Sequence, residues 1–320
     1  MKVTDYFKAA NGNSLVSFEV LPPLKGGSMK SIFDTLDPLM EFKPPFVDVT
    51  YHREDFDYVK QPGGHYEKTT IRKRPGTVGI CASIMHRYGV DAVPHLLCGG
   101  FTKAETEDVL IDLAFLGIQN VLALRGDARH FDGKFVPEEG GHHYASDLVA
   151  QICGMNEGRF LDKHIESADL ETDFCIGVAG YPEKHFEAAN KHTDLQFLKK
   201  KVEAGADYIV TQMFFDNEVY FKFVEDCRAE GINVPIVPGL KPLTKAYQLN
   251  SIPRLFYLDM PKDFVSEVEA AGKDRKKIRQ LGIEWCIHQS KELKAAGVPC
   301  LHYYTMGDAK TIRAIVEEVY

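Results

Sequence analysis

The sequence predicts a single-domain α/β protein of the (β/α)8 TIM-barrel class spanning residues 1–320, and three observations lead there. Short apolar runs alternate eight times with segments of helical periodicity. The composition holds steady along 320 residues, 44% hydrophobic and 26% charged, which suits one large core. Several apolar runs also stop abruptly at a polar side chain, as barrel strands do where they reach the mouth that holds the chemistry.

Taken in order, Leu15 to Pro23 opens as a strand with Glu19 near its carboxyl end, halted by Pro22-Pro23, which cannot extend a ladder. A helix is expected over 30–42, with Ile32, Leu36, Leu39 and Met40 near helical spacing, and then a second strand from Pro45 to Tyr51. The polar stretch 52–76 is too long for an ordinary connection and reads as a loop insertion, with a basic cluster of Lys68, Arg72, Lys73 and Arg74. A helix over 77–88 leads to the third strand, Asp91 to Cys98. Thr102 and Glu105 stand in capping-box spacing at the start of the next helix. The fourth strand, Asn120 to Leu124, ends at Arg125-Gly126-Asp127, where glycine permits close backbone approach and Asp127 offers a carboxylate.

The loop 128–143 contains His142-His143, but no carboxylate or cysteine stands at ligand spacing, so no metal is expected. After a helix over 146–155, the fifth strand runs from Phe174 to Gly180 and ends in Tyr181-Pro182-Glu183-Lys184-His185. A helix over 193–204 precedes the sixth strand, Tyr208 to Asp216, with the amide of Gln212 near its end. The remaining pattern is a helix over 217–230, a seventh strand from Val234 to Leu240, helices over 244–255 and 261–296, an eighth strand from Cys300 to Met306 and a last helix over 309–319.

A net charge of −8 argues against a nucleic-acid surface, and no apolar run approaches the roughly 20 residues that cross a bilayer. The first eight residues lack the apolar core of a signal peptide, so a cytoplasmic protein is expected, as a homo-oligomer. Seven scattered cysteines without a C-x-x-C pair read as reduced core residues. In a barrel, Glu19, Thr50, His95, Asp127, Tyr181, His185 and Gln212 would converge on one mouth despite their separation in sequence.

Ser17-Phe18-Glu19 with Pro22-Pro23, Val49-Thr50-Tyr51, Pro94-His95-Leu96, Leu124-Arg125-Gly126-Asp127, Tyr144-Ala145-Ser146-Asp147-Leu148, Tyr181-Pro182-Glu183-Lys184-His185 and Thr211-Gln212-Met213-Phe214-Phe215-Asp216 occur in this order. As an ordered set they resemble the methylenetetrahydrofolate reductase family, in its bacterial, catalytic-domain-only form, from about residue 15 to 306. The resemblance implies an FAD enzyme that uses NADH or NADPH to reduce 5,10-methylenetetrahydrofolate to 5-methyltetrahydrofolate, supplying methyl groups for methionine synthesis. A chain of 320 residues has no room for the regulatory domain of eukaryotic members, so inhibition by S-adenosylmethionine through one is not expected.

By the same resemblance, Glu19 is the acid that protonates folate N10, Asp127 favours the cationic folate species, and Gln212 hydrogen-bonds folate. The aromatic group that stacks on the folate falls at Ala246 or Tyr247; Tyr247 is the aromatic candidate. The FAD contacts fall on Thr50, His95, Leu124, Arg125, Gly126, Asp127, Tyr144, Ala145, His185, Asp194 and Lys201, with Arg125, His185 and Lys201 suited to the pyrophosphate. Neither G-x-G-x-x-G nor a P-loop is present, so no dinucleotide is expected to bind in the Rossmann manner. Two rival readings are another FAD barrel of the proline-dehydrogenase kind and a non-redox folate or methyl-carrier barrel.

Overall fold

A computed structural model describes residues 1–53, 55–71, 74–128, 133–162 and 172–320. The first half of the chain runs α1 (Val3–Ala9), β1 (Leu15–Val20), α2 (Lys30–Leu36) continuing as a 3-10 turn over Asp37–Phe42, β2 (Phe46–Val49), β3 (Asp55–Lys60), β4 (Tyr66–Ile71), α3 (Thr77–Tyr88), β5 (Asp91–Leu97), α4 (Lys103–Phe115) and β6 (Asn120–Leu124). The second half runs α5 (Ala145–Asn156), β7 (Cys175–Gly180), α6 (Lys191–Glu203), β8 (Tyr208–Thr211), α7 (Asn217–Ala229), β9 (Ile236–Val237), β10 (Gly239–Leu240), α8 (Gln248–Phe256), α9 (Lys262–Ala270), α10 (Arg275–Ala295), β11 (Cys300–Tyr304) and α11 (Ala309–Val319).

The main sheet has the order β10-β11-β1-β2-β5-β6-β7-β8-β9, every pairing parallel. Its two ends, β9 and β10, are halves of one strand divided by Pro238, which has no N–H to give the ladder. The sheet therefore closes into the expected barrel, with the seventh strand broken at proline. Thr211 spans the break: its Oγ1 accepts the Gly239 N–H at 3.0 Å, and its carbonyl accepts the Tyr304 hydroxyl at 2.7 Å.

Apolar side chains sort to two sides of this ring. Outward residues such as Phe18, Val47, Leu96, Val121 and Ile209 pack beneath the helices in the main core. Inward, Phe46, Val93, Leu122, Cys175, Tyr208, Val237 and Cys300 fill the lower barrel, and α1 closes the floor with Val3, Tyr6 and Phe7. Gly177 is required there, because a Cβ would stand 2.5 Å from the Tyr208 ring. The helices begin where the spacing indicates: the capping box of α4 is formed, the Thr102 N–H reaching Glu105 at 2.7 Å and the Glu105 N–H reaching Thr102 Oγ1 at 3.1 Å.

Three features differ from expectation. Within 52–76 the chain forms an antiparallel hairpin, β3 against β4, turning through Gly63 and Gly64 at positive φ. The first helix, α1, has no counterpart in the sequence reading, and the long helical region over 261–296 is two helices. Arg72 and Lys73 of the basic cluster lie outside the described residues. All seven cysteines are free thiols and six are buried. Among the described residues, no helix is long and apolar enough to cross a membrane, and no group of three candidate ligands could hold a metal.

Candidate active site

Strand alternation puts Ser17 and Glu19 of β1 on the inner face, level with Asp48 of β2 and with His302 and Tyr304 of β11. Two acids and two imidazoles meet there. Glu19 Oε2 lies 3.6 Å from His95 Nε2 and 3.8 Å from His302 Nε2; below it, Asp48 lies 3.7 Å from His95 Nε2 and 3.9 Å from His302 Nδ1. Solvent barely reaches the cluster: the Asp48 and His302 side chains are each 1% exposed, and Glu19, nearest the mouth, is 12% exposed.

Hydrogen bonds are incomplete in this cluster. His302 Nδ1 is 2.8 Å from Ser17 Oγ, which also receives the Cys300 thiol at 3.3 Å. Among the described residues, both Asp48 oxygens, His95 Nε2 and His302 Nε2 have no hydrogen-bond partner. Buried polar atoms are seldom left so unless the site serves something else. Burial opposes charge on His302, but Asp48 and Glu19 outweigh it and hold the ring above its ordinary pKa.

The rim above is one electrostatic neighbourhood. His52 is held below its usual pKa by burial and by Arg74, against the pull of Asp127 and Glu19. Tyr181 is raised by burial and by Asp127 and Asp194, while Tyr304 is raised by burial, Glu19, Asp48 and Tyr181. Gln212 follows β8, its Oε1 accepting the Met213 N–H at 2.9 Å. Since the Tyr304 hydroxyl bonds the carbonyl of Thr211 and Tyr304 lies level with Glu19, acid and amide share one end of the barrel.

A second cluster follows β6 and β7. Asp194, in the first turn of α6, accepts the His185 N–H at 3.0 Å, and His185 packs edge-on against Tyr181 at 4.7 Å between ring centres. Lys201, one α6 face further on, donates to the Ala179 carbonyl and lies 5.9 Å from the Tyr181 ring. Burial pulls Lys201 down to about 8, Asp194 opposing and Arg125 adding to the fall. Arg125 pairs with Glu187 at 2.6 Å. Gly126 has φ +85, a backbone conformation that favours glycine, and a Cβ there would stand 3.3 Å from the Leu97 side chain.

The structure thus gathers Glu19, His95, Asp127 and Gln212 at the mouth, and Arg125, His185, Asp194 and Lys201 beside it. Thr50 bonds back to the Val20 carbonyl through its N–H at 3.1 Å, and Leu124 ends β6. Tyr144 precedes and Ala145 begins α5, while Tyr247 stands 62% exposed before α8. Among the described residues, no hydrogen bond or ion pair ties Tyr144, Ala145 or Tyr247 to either cluster. His142 is a packing residue, its Nε2 bonded to Gln151. The sequence reading passed over Asp48 and His302. Each is a lone charged or titratable residue inside an apolar strand, at even spacing from a residue already facing inward, and that signal was available.

Comparison with known proteins agrees with this arrangement. The family described as methylenetetrahydrofolate reductase matches residues 4–320. The chain is 33% identical over 327 residues to methylenetetrahydrofolate reductase (NADH) 1 of Arabidopsis thaliana, covering 99% of this chain and 50% of that one. It is 31% identical over 306 residues to the 5,10-methylenetetrahydrofolate reductase of Pectobacterium carotovorum subsp. carotovorum, covering 95% of this chain and 89% of the other. The chain therefore spans about half the length of the plant relative and most of the bacterial one. Among solved structures, a Clostridium thermocellum protein described as binding two copies of 5-methyl-5,6,7,8-tetrahydrofolic acid shares the fold, with a TM-score of 0.56 at 12% identity over 98% of this chain and 99% of that one. With a family match over nearly its whole length and a bacterial relative of similar extent, the chain belongs to the methylenetetrahydrofolate reductase family.

Proposed function

We propose that this chain reduces 5,10-methylenetetrahydrofolate to 5-methyltetrahydrofolate with NADH or NADPH as reductant and FAD bound at the barrel mouth. The observation that supports this reading most is Glu19, a nearly buried carboxyl group between two imidazoles, on the same rim as Asp127 and Gln212.

The donor set fits a flavin dinucleotide. Its pyrophosphate needs cations, and Arg125, Lys201 and His185 stand together around Tyr181; an anion beside Lys201 would restore the charge that burial opposes. Asp194 suits a sugar hydroxyl, and Thr50, His95, Leu124, Gly126, Asp127, Tyr144 and Ala145 complete the set, Gly126 letting the backbone come close. When bound, FAD supplies the hydride carrier between nicotinamide and folate.

The chain's own residues handle the proton. Glu19 gives its proton to folate N10; the bond from N10 to the bridging carbon breaks, its electron pair stays on N10, and a cationic iminium forms at N5. The carboxylate of Asp127 favours that cation. Gln212, its Oε1 already held by the Met213 N–H, turns its amide N–H groups toward the pterin. Tyr247, exposed at the rim, is the stacking candidate for the folate aromatic ring.

Anaerobic half-reactions test this reading. Titration of the flavin-loaded protein with NADH and with NADPH should bleach it and identify the preferred reductant; methylenetetrahydrofolate should then restore the oxidised spectrum. Glu19→Gln should retain the nicotinamide half-reaction and lose the folate half-reaction by roughly 10²–10⁴-fold. Equal loss in both would remove the acid role from Glu19, and a wild-type protein inert to the folate would end the functional reading.

A further inference from the structure

The proposed mechanism leaves His302 without a task. It lies in the barrel wall level with Ser17, 1% exposed, its Nδ1 3.9 Å from Asp48 and its Nε2 3.8 Å from Glu19. Buried ring nitrogens are usually hydrogen-bonded. Here Nδ1 is engaged by Ser17 Oγ at 2.8 Å, while Nε2, the nitrogen nearest Glu19, has no hydrogen-bond partner among the described residues.

A short chain of donors bears on which nitrogen carries hydrogen. Cys300 Sγ lies 3.3 Å from Ser17 Oγ and 3.6 Å from the Leu301 carbonyl; with the thiol donated to Ser17, the nearer acceptor, the Ser17 O–H is free to donate to His302 Nδ1. In the neutral ring, Nδ1 is then the acceptor and the hydrogen resides on Nε2; in the charged ring, Nε2 carries hydrogen in any case. The groups facing His302 are Ser17 and Glu19 from β1, Asp48 from β2, His95 of β5 across the cluster, and Cys300 and Tyr304 on its own strand, Tyr304 lying edge-on at 5.3 Å. Neighbouring β10 offers only the backbone of Gly239 at this level.

We propose that His302 is a positioning residue whose Nε2–H, held in place by the Cys300–Ser17 relay, fixes Glu19 and stabilises its carboxylate after the proton has left for the folate. The 3.8 Å gap is too long for a hydrogen bond to the resting acid, and it closes when Glu19 becomes charged. No proton is transferred from His302: the hydrogen stays on Nε2, so the step remains balanced with Glu19 as sole donor. The inference rests on the acid role proposed for Glu19.

Two isosteric amides separate this from a packing role. Gln carries its amide nitrogen near the position of Nε2, whereas Asn carries its own near Nδ1. His302→Asn should slow the folate half-reaction by ~10²-fold and shift its pH profile upward, with the nicotinamide half-reaction within about 2-fold of wild type. His302→Gln should recover about 10-fold of that loss. Equal rates for the two variants, or an unshifted profile, would overturn the proposal. The wild-type protein supplies a readout that does not depend on turnover: ¹⁵N-histidine spectra should show His302 with hydrogen on Nε2 and, in Ser17→Ala, redistribution to Nδ1. A His302 bare at Nε2 refutes the proposal even if the folate reaction is normal. Conversely, a protein inert to folate but with Nε2–H in place would refute the functional reading and leave the donor relay standing.

Discussion

The floor and the mouth of this barrel are built from the same strands, yet polar groups are mostly matched at the one and mostly left open at the other. At the floor, Asn120 accepts the Val3 N–H and donates to the Met1 carbonyl, each at 2.8 Å, and Tyr6 gives its hydroxyl to Asp91. Around them Phe46, Phe7 and Tyr208 meet edge to face, and of these floor groups the Tyr208 hydroxyl alone lacks a hydrogen-bond partner among the described residues. One or two strand positions higher, Asp48, His95 and His302 present atoms with no partner. Stability is concentrated where polar groups are matched; chemistry is left where they are not.

Truncating the floor should give the largest effect on stability. Phe46→Ala is expected to cost ~3–5 kcal/mol in denaturant unfolding. Glu19→Gln should move the same midpoint by only about 1 kcal/mol, since an isosteric amide keeps the packing. If the mouth substitution proved as destabilising as the floor one, the division between the two regions would fail. Next in size, Asn120→Ala leaves the Val3 N–H and Met1 carbonyl without their partner and should cost about 1–3 kcal/mol, read by unfolding with α1 intact in the reference. A cost near zero would mean that α1 is held by its apolar side chains alone.

A further effect concerns pH. Lys201 titrates at about 8 in the fold, against an ordinary 10.5, because burial disfavours its charge. Between those values the unfolded chain holds the proton that the folded one has released, so raising pH through this window favours folding. Flavin-free protein should therefore gain stability on going from pH 8 toward 10.5, and Lys201→Met should remove that part of the slope. Identical slopes in wild type and variant would show that Lys201 keeps its charge in the fold.

Much of this division was legible from the chain. Glu19 and Asp127 stood out because each ends an apolar run, and the barrel followed from counting such runs. The features that were missed share a cause: the reading weighed strand ends and overlooked strand interiors. In a strand packed between helices and a barrel lumen, every second residue faces inward, so Asp48 two residues before Thr50 and His302 two before Tyr304 were already aimed at the site. The hairpin over 55–71 escaped because its side chains are mostly exposed, which erases the polar and apolar contrast that marks a half-buried strand. The floor helix α1 escaped because seven residues give too short a period to separate from a polar tail.

The interruption at Pro238 has a consequence for how the ring can breathe. On either side of it the ladders are short: β9 pairs with β8, and β10 with β11, over two residues each. Thr211 adds a bridge across the break, through one side-chain oxygen to Gly239 and one carbonyl to Tyr304. Under the proposed function, the aperture through which nicotinamide and folate would enter in turn lies beside this bridge, next to Gln212 and Glu19.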